Sequence, residues 1–365
     1  MVEGESPGIL ETNLRPVDVT ASGVIEEVAL HRSEPSESTR WWPSLLVRLG
    51  GIGLAGAGVW MTRATLEPIV ALVLLFAILV PLEKLFPRRP DQRIRREGLS
   101  LDVGYALAAP VLGILASMAG ILVGVISLAW LPGLAFRGIV AQIPDRWEPF
   151  IGLLVFDFIA YWAHRFMHEA PSLWRIHAIH HSPEEMDWVS GFRGHPFDGI
   201  IAVPAIFFML AAGFEPEITG ALAALQLLLG LFFHANVRLR LRPLRFIVAT
   251  PDFHHWHHAS EEDAIWTNYG SFLPIWDLMF GTYYVPVDRM PVTYGVEEEI
   301  PGSMLGQLRY PFEGMSSPWW IVRHPMRSIR SAMTYLRRLL GELRFSIQRP
   351  KDRGQALIDQ LPDLD

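Results

Sequence analysis

The chain has 365 residues, a net charge of -7, half of its residues hydrophobic and only 19% charged, with a mean hydropathy of +0.25. That balance belongs to a membrane protein rather than to a pair of soluble domains. There is no cysteine, which excludes disulfides, thiolate nucleophiles, iron–sulfur ligation and Cys-based zinc sites, so any metal must be held by histidine and carboxylate.

Residues 1–40 carry eight acidic side chains against three arginines and few large apolar residues. Residues 1–42 are therefore expected to form a disordered acidic tail, and they lack the basic start and apolar core of a signal peptide. Candidate membrane spans follow at about 43–62, 66–82, 103–132, 149–163, 199–214 and 218–236, where Val103 to Phe136 holds no Asp, Glu, Lys or Arg. The expected fold is an all-α integral membrane protein with about four to six transmembrane helices and a cytoplasmic helical cap. The segment "EKLFPRRPDQRIRRE", between the second and third spans, carries six Lys or Arg, and the positive-inside rule places it in the cytoplasm. Tracing the spans from there brings every histidine-rich segment to that same side. The expected organisation is an N-terminal transmembrane hairpin with its basic loop over 43–100, a core domain over 101–290, and a cytoplasmic segment over 291–365. In this last segment Met326, Ile329, Met333, Leu336, Leu340 and Leu343 recur every three or four residues among arginines, which predicts a basic amphipathic helix lying on an anionic membrane surface.

Three histidine groups stand out: "HRFMH" (His164, His168), "HAIHH" (His177, His180, His181) and "HHWHH" (His254, His255, His257, His258). On a helix, residues three and four apart share a face. His164 with His168, His177 with His180 and His181, and His254 with His257 and His258 therefore form three one-sided sets. Thr250-Pro251 has the form of an N-cap followed by a first helical residue, which starts the last helix just before its histidines. Eight imidazoles converging at one membrane depth would leave lone pairs unpaired without an ion. Eight ligands also exceed what one ion takes, so two ions are implied, and imidazole suits Zn, Cu, Fe and Ni alike. Arg165 follows His164 where a zinc protease has Glu, which argues against metal-assisted peptide hydrolysis.

The spacing HxxxH, HxxHH and a later HxxHH among membrane helices resembles the fatty acid hydroxylase/sterol desaturase superfamily of histidine-box di-iron oxygenases. "DFIAYWAHRFMH", "LWRIHAIHHSPEE" and "NYGSFLPIWDLMFGTYY" carry the resemblance, over about residues 149–288. It implies a catalytic domain at 101–290 that uses O2 and two Fe ions, with zinc as a substitute picked up on purification, to hydroxylate an unactivated C–H bond of a lipid: a sterol, hopanoid, ether lipid, carotenoid or fatty acyl chain. The ligands it implies are His164, His168, His177, His180, His181, His254, His257 and His258, joined by His234 in "FFHANV". Arg238 stands where some hydroxylases of the family have a further histidine.

Around these, His195 is a candidate ligand or supporting residue, and His255, the surplus member of its set, is expected to be a supporting or solvent-facing residue rather than a ligand. Asp157, two helical turns before His164, is a candidate acceptor for a ligand's outer N–H, or else the partner of Arg165 or Arg193; Tyr161 shares its face, and Asn268 and Asp277 are candidates to anchor the cap. The chain offers no electron source of its own, so an external donor is expected: cytochrome b5, ferredoxin with its reductase, or a pterin. The basic loop, through Arg88, Arg89, Arg95 and Arg96, or the amphipathic helix, is a candidate dock for it. A desaturase outcome on the same site, and a membrane metal-binding or transport protein, are the alternative readings. No nucleic-acid partner is expected. The location expected is a bacterial inner membrane.

Overall fold

The computed structural model describes residues 68–128, 130–239, 244–286 and 288–313, with isolated positions between 326 and 341. The expected acidic tail, the first candidate span and nearly all of the expected amphipathic helix lie outside the described residues. The described protein is all-α, and no strand occurs among the described residues, only two isolated bridges, Pro87 with Val237 and Ala259 with Tyr294.

The helices in chain order are α1 (Pro68–Leu85), α2 (Leu99–Ser127), α3 (Leu131–Val140), α4 (Glu148–Glu169), α5 (Pro171–His181), α6 (Val203–Ala212), α7 (Pro216–His234), α8 (Pro251–His257), α9 (Ile275–Phe280) and α10 (Met304–Arg309). Among the described residues α2, α4 and α7 are long and apolar enough to cross a membrane. The 29 residues of α2 run unbroken through Pro110 and rise about 44 Å at 1.5 Å per residue, more than the roughly 30 Å of hydrocarbon. Its outer stripe leaves Leu107 70% and Met118 64% exposed, together with Val111, Ile114, Ile121 and Val125. Such a face suits lipid.

Prolines set where these helices begin. The span expected to run to 132 ends at Leu128, which adopts a left-handed backbone (φ 55°), and Pro132 then opens the separate helix α3; a proline is tolerated in a first turn but not in a helix interior. The span expected at 199–214 is a 3-10 turn at Pro196–Ile201 followed by the ten-residue α6, which stops at left-handed Gly213. At about 15 Å, α6 reaches only half the hydrocarbon thickness. It packs instead against α3, where a Cβ on Gly133 would come within 2.5 Å of the Phe208 carbonyl oxygen and the Phe136 and Phe208 rings lie 5.7 Å apart. In contrast, α4 runs past the expected end at 163. Arg165 donates to Glu169 at 3.0 Å one turn on, with both side chains buried, so the polar end of the helix is paired internally.

Charge holds the cap to the membrane helices. Arg96 donates to Asp102 Oδ2 and to Asp187, each at 2.7 Å, and Arg193 Nε donates to Asp102 Oδ1 at 2.6 Å. Arg88, also buried, pairs with Asp252 in the first turn of α8, and Arg89 donates to the Pro291 carbonyl at 2.9 Å and to that of Val292. The expectation that Arg88, Arg89 and Arg96 present a docking surface is corrected: all three are bonded within the fold, while Arg95 is exposed. The loop also pairs with the stretch just after α7, through Arg238 N–H to the Phe86 carbonyl and Arg89 N–H to Asn236. The basic loop and the end of α7 that carries His234 therefore lie on the same side. Replacing Asp102 by Ala leaves two buried guanidinium groups without their shared partner, and the expected loss is about 3–5 kcal/mol, read as a lower thermal midpoint in detergent. An unchanged midpoint would show that the network contributes nothing.

Candidate metal centre

Local geometry delivers each histidine set to one place. His164 and His168 occupy the last two turns of α4; Pro171 then opens α5, so the chain turns and lays its histidines back over them, with the His168 and His177 rings 4.8 Å apart. His234 is the final residue of α7. The third set rides on α8, where the Thr250 side chain accepts the Phe253 N–H at 3.2 Å and Pro251 fills the first position, as the sequence predicts.

These elements produce two groups. His164, His168, His177, His181 and His257 form one, and His180, His234, His254 and His258 the other; within each, one nitrogen per ring lies within 4.8 Å of all its fellows. The groups adjoin, for the His181 and His258 rings stack at 4.0 Å. All nine expected histidines are thus gathered, in groups of five and four.

Hydrogen bonds fix the tautomers. His164 Nδ1 lies 2.9 Å from the Tyr269 carbonyl, His257 Nδ1 2.8 Å from that of Thr267, His180 Nδ1 2.9 Å from that of Arg193 and His234 Nδ1 2.7 Å from that of Gly230. A carbonyl can only accept, so each Nδ1 carries the proton and each neutral ring turns an Nε2 lone pair inward. His177 does the same through Asp198 Oδ1 at 3.0 Å. The consequence is that His164 Nε2 and His177 Nε2 face each other at 3.1 Å with two lone pairs and no proton between them. Protonation is a poor remedy. Burial pulls His177 down to about 3 and His180 to about 4, and burial followed by neighbouring imidazoles holds His181 and His258 well below the usual histidine range. Of the eleven buried side-chain atoms without a hydrogen-bond partner among the described residues, five are ring nitrogens here: Nε2 of His168, His181 and His257, and both nitrogens of His258. Buried polar atoms seldom stay unpaired, and cations between the rings would take up one lone pair from each of these four rings.

The remaining candidates lie outside the two groups. His255 is buried, not solvent-facing; its Nε2 donates to the Ala235 carbonyl at 3.1 Å and its Nδ1 accepts from the Tyr294 hydroxyl at 2.9 Å, so no lone pair is left for a metal. His195 is likewise committed, donating from Nε2 to the Leu308 carbonyl at 3.2 Å and accepting the Phe197 N–H on Nδ1 at 3.1 Å. The expectation that Asp157 takes a histidine N–H or pairs with Arg165 or Arg193 is corrected. Its carboxylate accepts the backbone N–H groups of Ser271, Phe272 and Leu273 at 3.2, 2.9 and 2.9 Å, which fixes the loop just beyond Tyr269. Asp277 holds the same loop from below, through the N–H groups of Tyr269 and Gly270 at 2.7 and 2.8 Å. The Asn268 side chain donates to Phe253 and Tyr284 carbonyls, tying α8 to the chain after α9. Tyr161 donates to Thr282 at 2.9 Å, accepts from Arg165 and stacks on Phe280. These four side chains therefore support the loops around the cluster and touch no cluster nitrogen.

Besides Tyr269, whose ring lies 5.3 Å from that of His168, two residues that the histidine spacing did not reveal adjoin the cluster. Asp198 is one; its signal, a carboxylate three residues after His195 in "HPFD", is that of a helix-capping pair. Trp174 is the other, its ring 5.2 Å from that of His168 and 5.6 Å from that of His181. The backbone carbonyl acceptors leave no trace in side-chain pattern.

Comparison with known proteins agrees with this architecture. Residues 149–282 match the model of the fatty acid hydroxylase family. The ornithine lipid hydroxylase OlsE of Rhizobium tropici is 30% identical over 302 residues, which cover 75% of this chain and 84% of that protein. The alkylglycerol monooxygenase of Homo sapiens is 30% identical over 174 residues, 47% of this chain but only 38% of that protein, and Protein CER1-like 1 of Arabidopsis thaliana is 27% identical over 195 residues, 45% of this chain and 29% of that protein. No solved structure gives a significant match. Fold and site define an all-α membrane protein built around clustered histidines. The chain belongs to the fatty acid hydroxylase/sterol desaturase superfamily, and it is an oxidoreductase of that hydroxylating class.

Because His255 joins α8 to the end of α7 without offering a lone pair, His255→Leu is expected to lower stability by about 1–3 kcal/mol while leaving the capacity for bound divalent metal unchanged. Equilibrium metal titration beside thermal unfolding checks both halves, and a loss of metal capacity equal to that of a His257 variant would contradict the assignment.

Proposed function

We propose that the protein is a membrane di-iron hydroxylase that inserts one oxygen atom from O2 into an unactivated C–H bond of a lipid. The observation that carries this reading is the gathering of imidazoles in groups of five and four, one nitrogen per ring within 4.8 Å of its fellows, with His164 Nε2 and His177 Nε2 opposed at 3.1 Å. His164, His168, His177, His181 and His257 would hold one iron, and His180, His234, His254 and His258 the other, within a catalytic domain over 101–290. When bound, the pair supplies O2 activation and the oxidising power that C–H cleavage needs. The protein's own residues then orient and protect. Outer hydrogen bonds fix His164, His177, His180, His234 and His257 in the tautomer that can bind a cation, and burial disfavours the protonated form of His177, His180, His181 and His258.

The substrate class is supported by relatives whose names specify an ornithine lipid and alkylglycerols, and by the lipid-facing stripe of α2, beside which an acyl or alkyl chain would enter from the bilayer. Hydroxylation is favoured over desaturation by those same names. Metal transport is disfavoured because His164, His168 and His234 all sit at helix ends, not along a path through the hydrocarbon. Two electrons per turnover would come from a separate carrier, cytochrome b5, ferredoxin or a pterin, since the chain has no cysteine for a cluster of its own. The six cationic residues of the 84–96 loop favour a cytoplasmic placement of the histidines, in what we read as a bacterial inner membrane.

The test is product analysis. Membranes containing the protein, given a reductant system and isotopically labelled O2, are expected to accumulate a lipid one labelled oxygen atom heavier than its precursor, and His164→Ala should reduce that product at least a hundredfold. A lipid two hydrogens lighter with no added oxygen would instead establish the desaturase.

A further inference from the structure

Every imidazole that turns one nitrogen into the cluster has a second nitrogen to place, and its partner sets how much electron density the inner nitrogen can offer. For His164, His180, His234 and His257 that partner is a neutral backbone carbonyl. Among the described hydrogen bonds of the nine rings, His177 alone donates to a carboxylate, Asp198 Oδ1 at 3.0 Å.

Asp198 is held firmly in that role. It is the third residue of the turn Pro196–Ile201, its Oδ2 accepts the His195 backbone N–H at 2.7 Å, and the His195 ring caps the same turn by accepting the Phe197 N–H. His195 is itself tied by Nε2 to the Leu308 carbonyl. Behind the carboxylate stands Gly194, where a Cβ would come within 3.0 Å of Oδ2. One oxygen is thus occupied by backbone, and the other is hydrogen-bonded to a ring of the five-histidine group alone, although the carboxylate's charge also reaches His180 of the other group.

We propose that Asp198 is a positioning residue that makes the two metal positions electronically unequal. Its negative charge, drawn toward the His177 N–H, increases the donor strength of His177 Nε2, so the ion in the five-histidine group is held more tightly and oxidised more easily than its neighbour. The four-histidine group has two carbonyl-bonded rings, and a His258 ring with both nitrogens unpartnered; no described hydrogen bond brings a carboxylate to it. The inference rests on the reading of the two groups as a metal pair.

The experiment uses the full chain in detergent, loaded with iron enriched in the Mössbauer isotope, and follows both the two ferrous signals and the release of each ion to EDTA. Asp198→Asn still accepts from His177 but presents an NH2 toward the His195 N–H, so it removes the charge and one of the two bonds. It is expected to shift one ferrous signal more than the other, and to speed release of the slower ion roughly 10–100-fold with a much smaller change at the faster one, which feels the Asp198 charge only through His180. Asp198→Glu should restore part of the difference. Gly194→Ala retains the carboxylate but crowds it, and should give a smaller change in the same direction; it carries the test if the Asn variant does not fold. Unchanged signals and release rates in these variants, or equal changes at both positions, would overturn the role of Asp198 and leave the metal pair standing. A wild-type chain that takes up no iron would overturn the metal-pair reading and this inference together.

Discussion

Two imidazole nitrogens, His164 Nε2 and His177 Nε2, point lone pairs at each other across 3.1 Å, and the rest of the molecule is arranged to keep them so. Left alone, the arrangement is repulsive, and each ring has an easy escape by rotating or taking a proton. Both escapes are closed. The outer nitrogens are fixed by the Tyr269 carbonyl and the Asp198 carboxylate, and burial opposes the charged form of His177. A fold that spends hydrogen bonds on maintaining such an opposition is organised around cations.

The supporting structure works outward from that point. Tyr269 can offer its carbonyl because the loop 269–273 is held between two buried carboxylates, Asp277 below and Asp157 on α4, which together accept five backbone N–H groups. Asp157 therefore acts on the cluster through the backbone, one step further out than a histidine partner would. A second support comes from the arginine-rich loop after α1. Arg88 reaches the first turn of α8, while Arg96 joins Arg193 on Asp102, and the Arg193 carbonyl receives the His180 N–H. Charges that would suit a docking surface on an isolated loop are here internal ties between the membrane helices and the cap.

Much of this was legible in the sequence, for physical reasons. Helical periodicity fixes which histidines share a face, so the three sets could be read from spacing, and Thr250-Pro251 announced the start of α8. His234, alone on its helix, has no periodic partner and entered only through family resemblance. Helix ends were less legible. Apolar composition says that residues 103–132 suit a bilayer but not that Leu128 takes a left-handed backbone, and it undervalues the end of α4, where the Arg165–Glu169 pair hides its own charge. The partners of Asp157 and Asp198 were beyond reach because backbone amides and carbonyls carry no residue identity. His195 and His255 illustrate the same limit, since only their hydrogen bonds distinguish a committed ring from a ligand.

The central claim is that two ions occupy the two histidine groups, and the most direct measurement is the iron content of the purified full chain beside His257→Ala and His258→Ala, one from each group. The account predicts about two irons per chain in the wild type, with each variant losing principally the ion of its own group. Little metal in all three, or firmly held zinc without iron after expression in iron-rich medium, would contradict it.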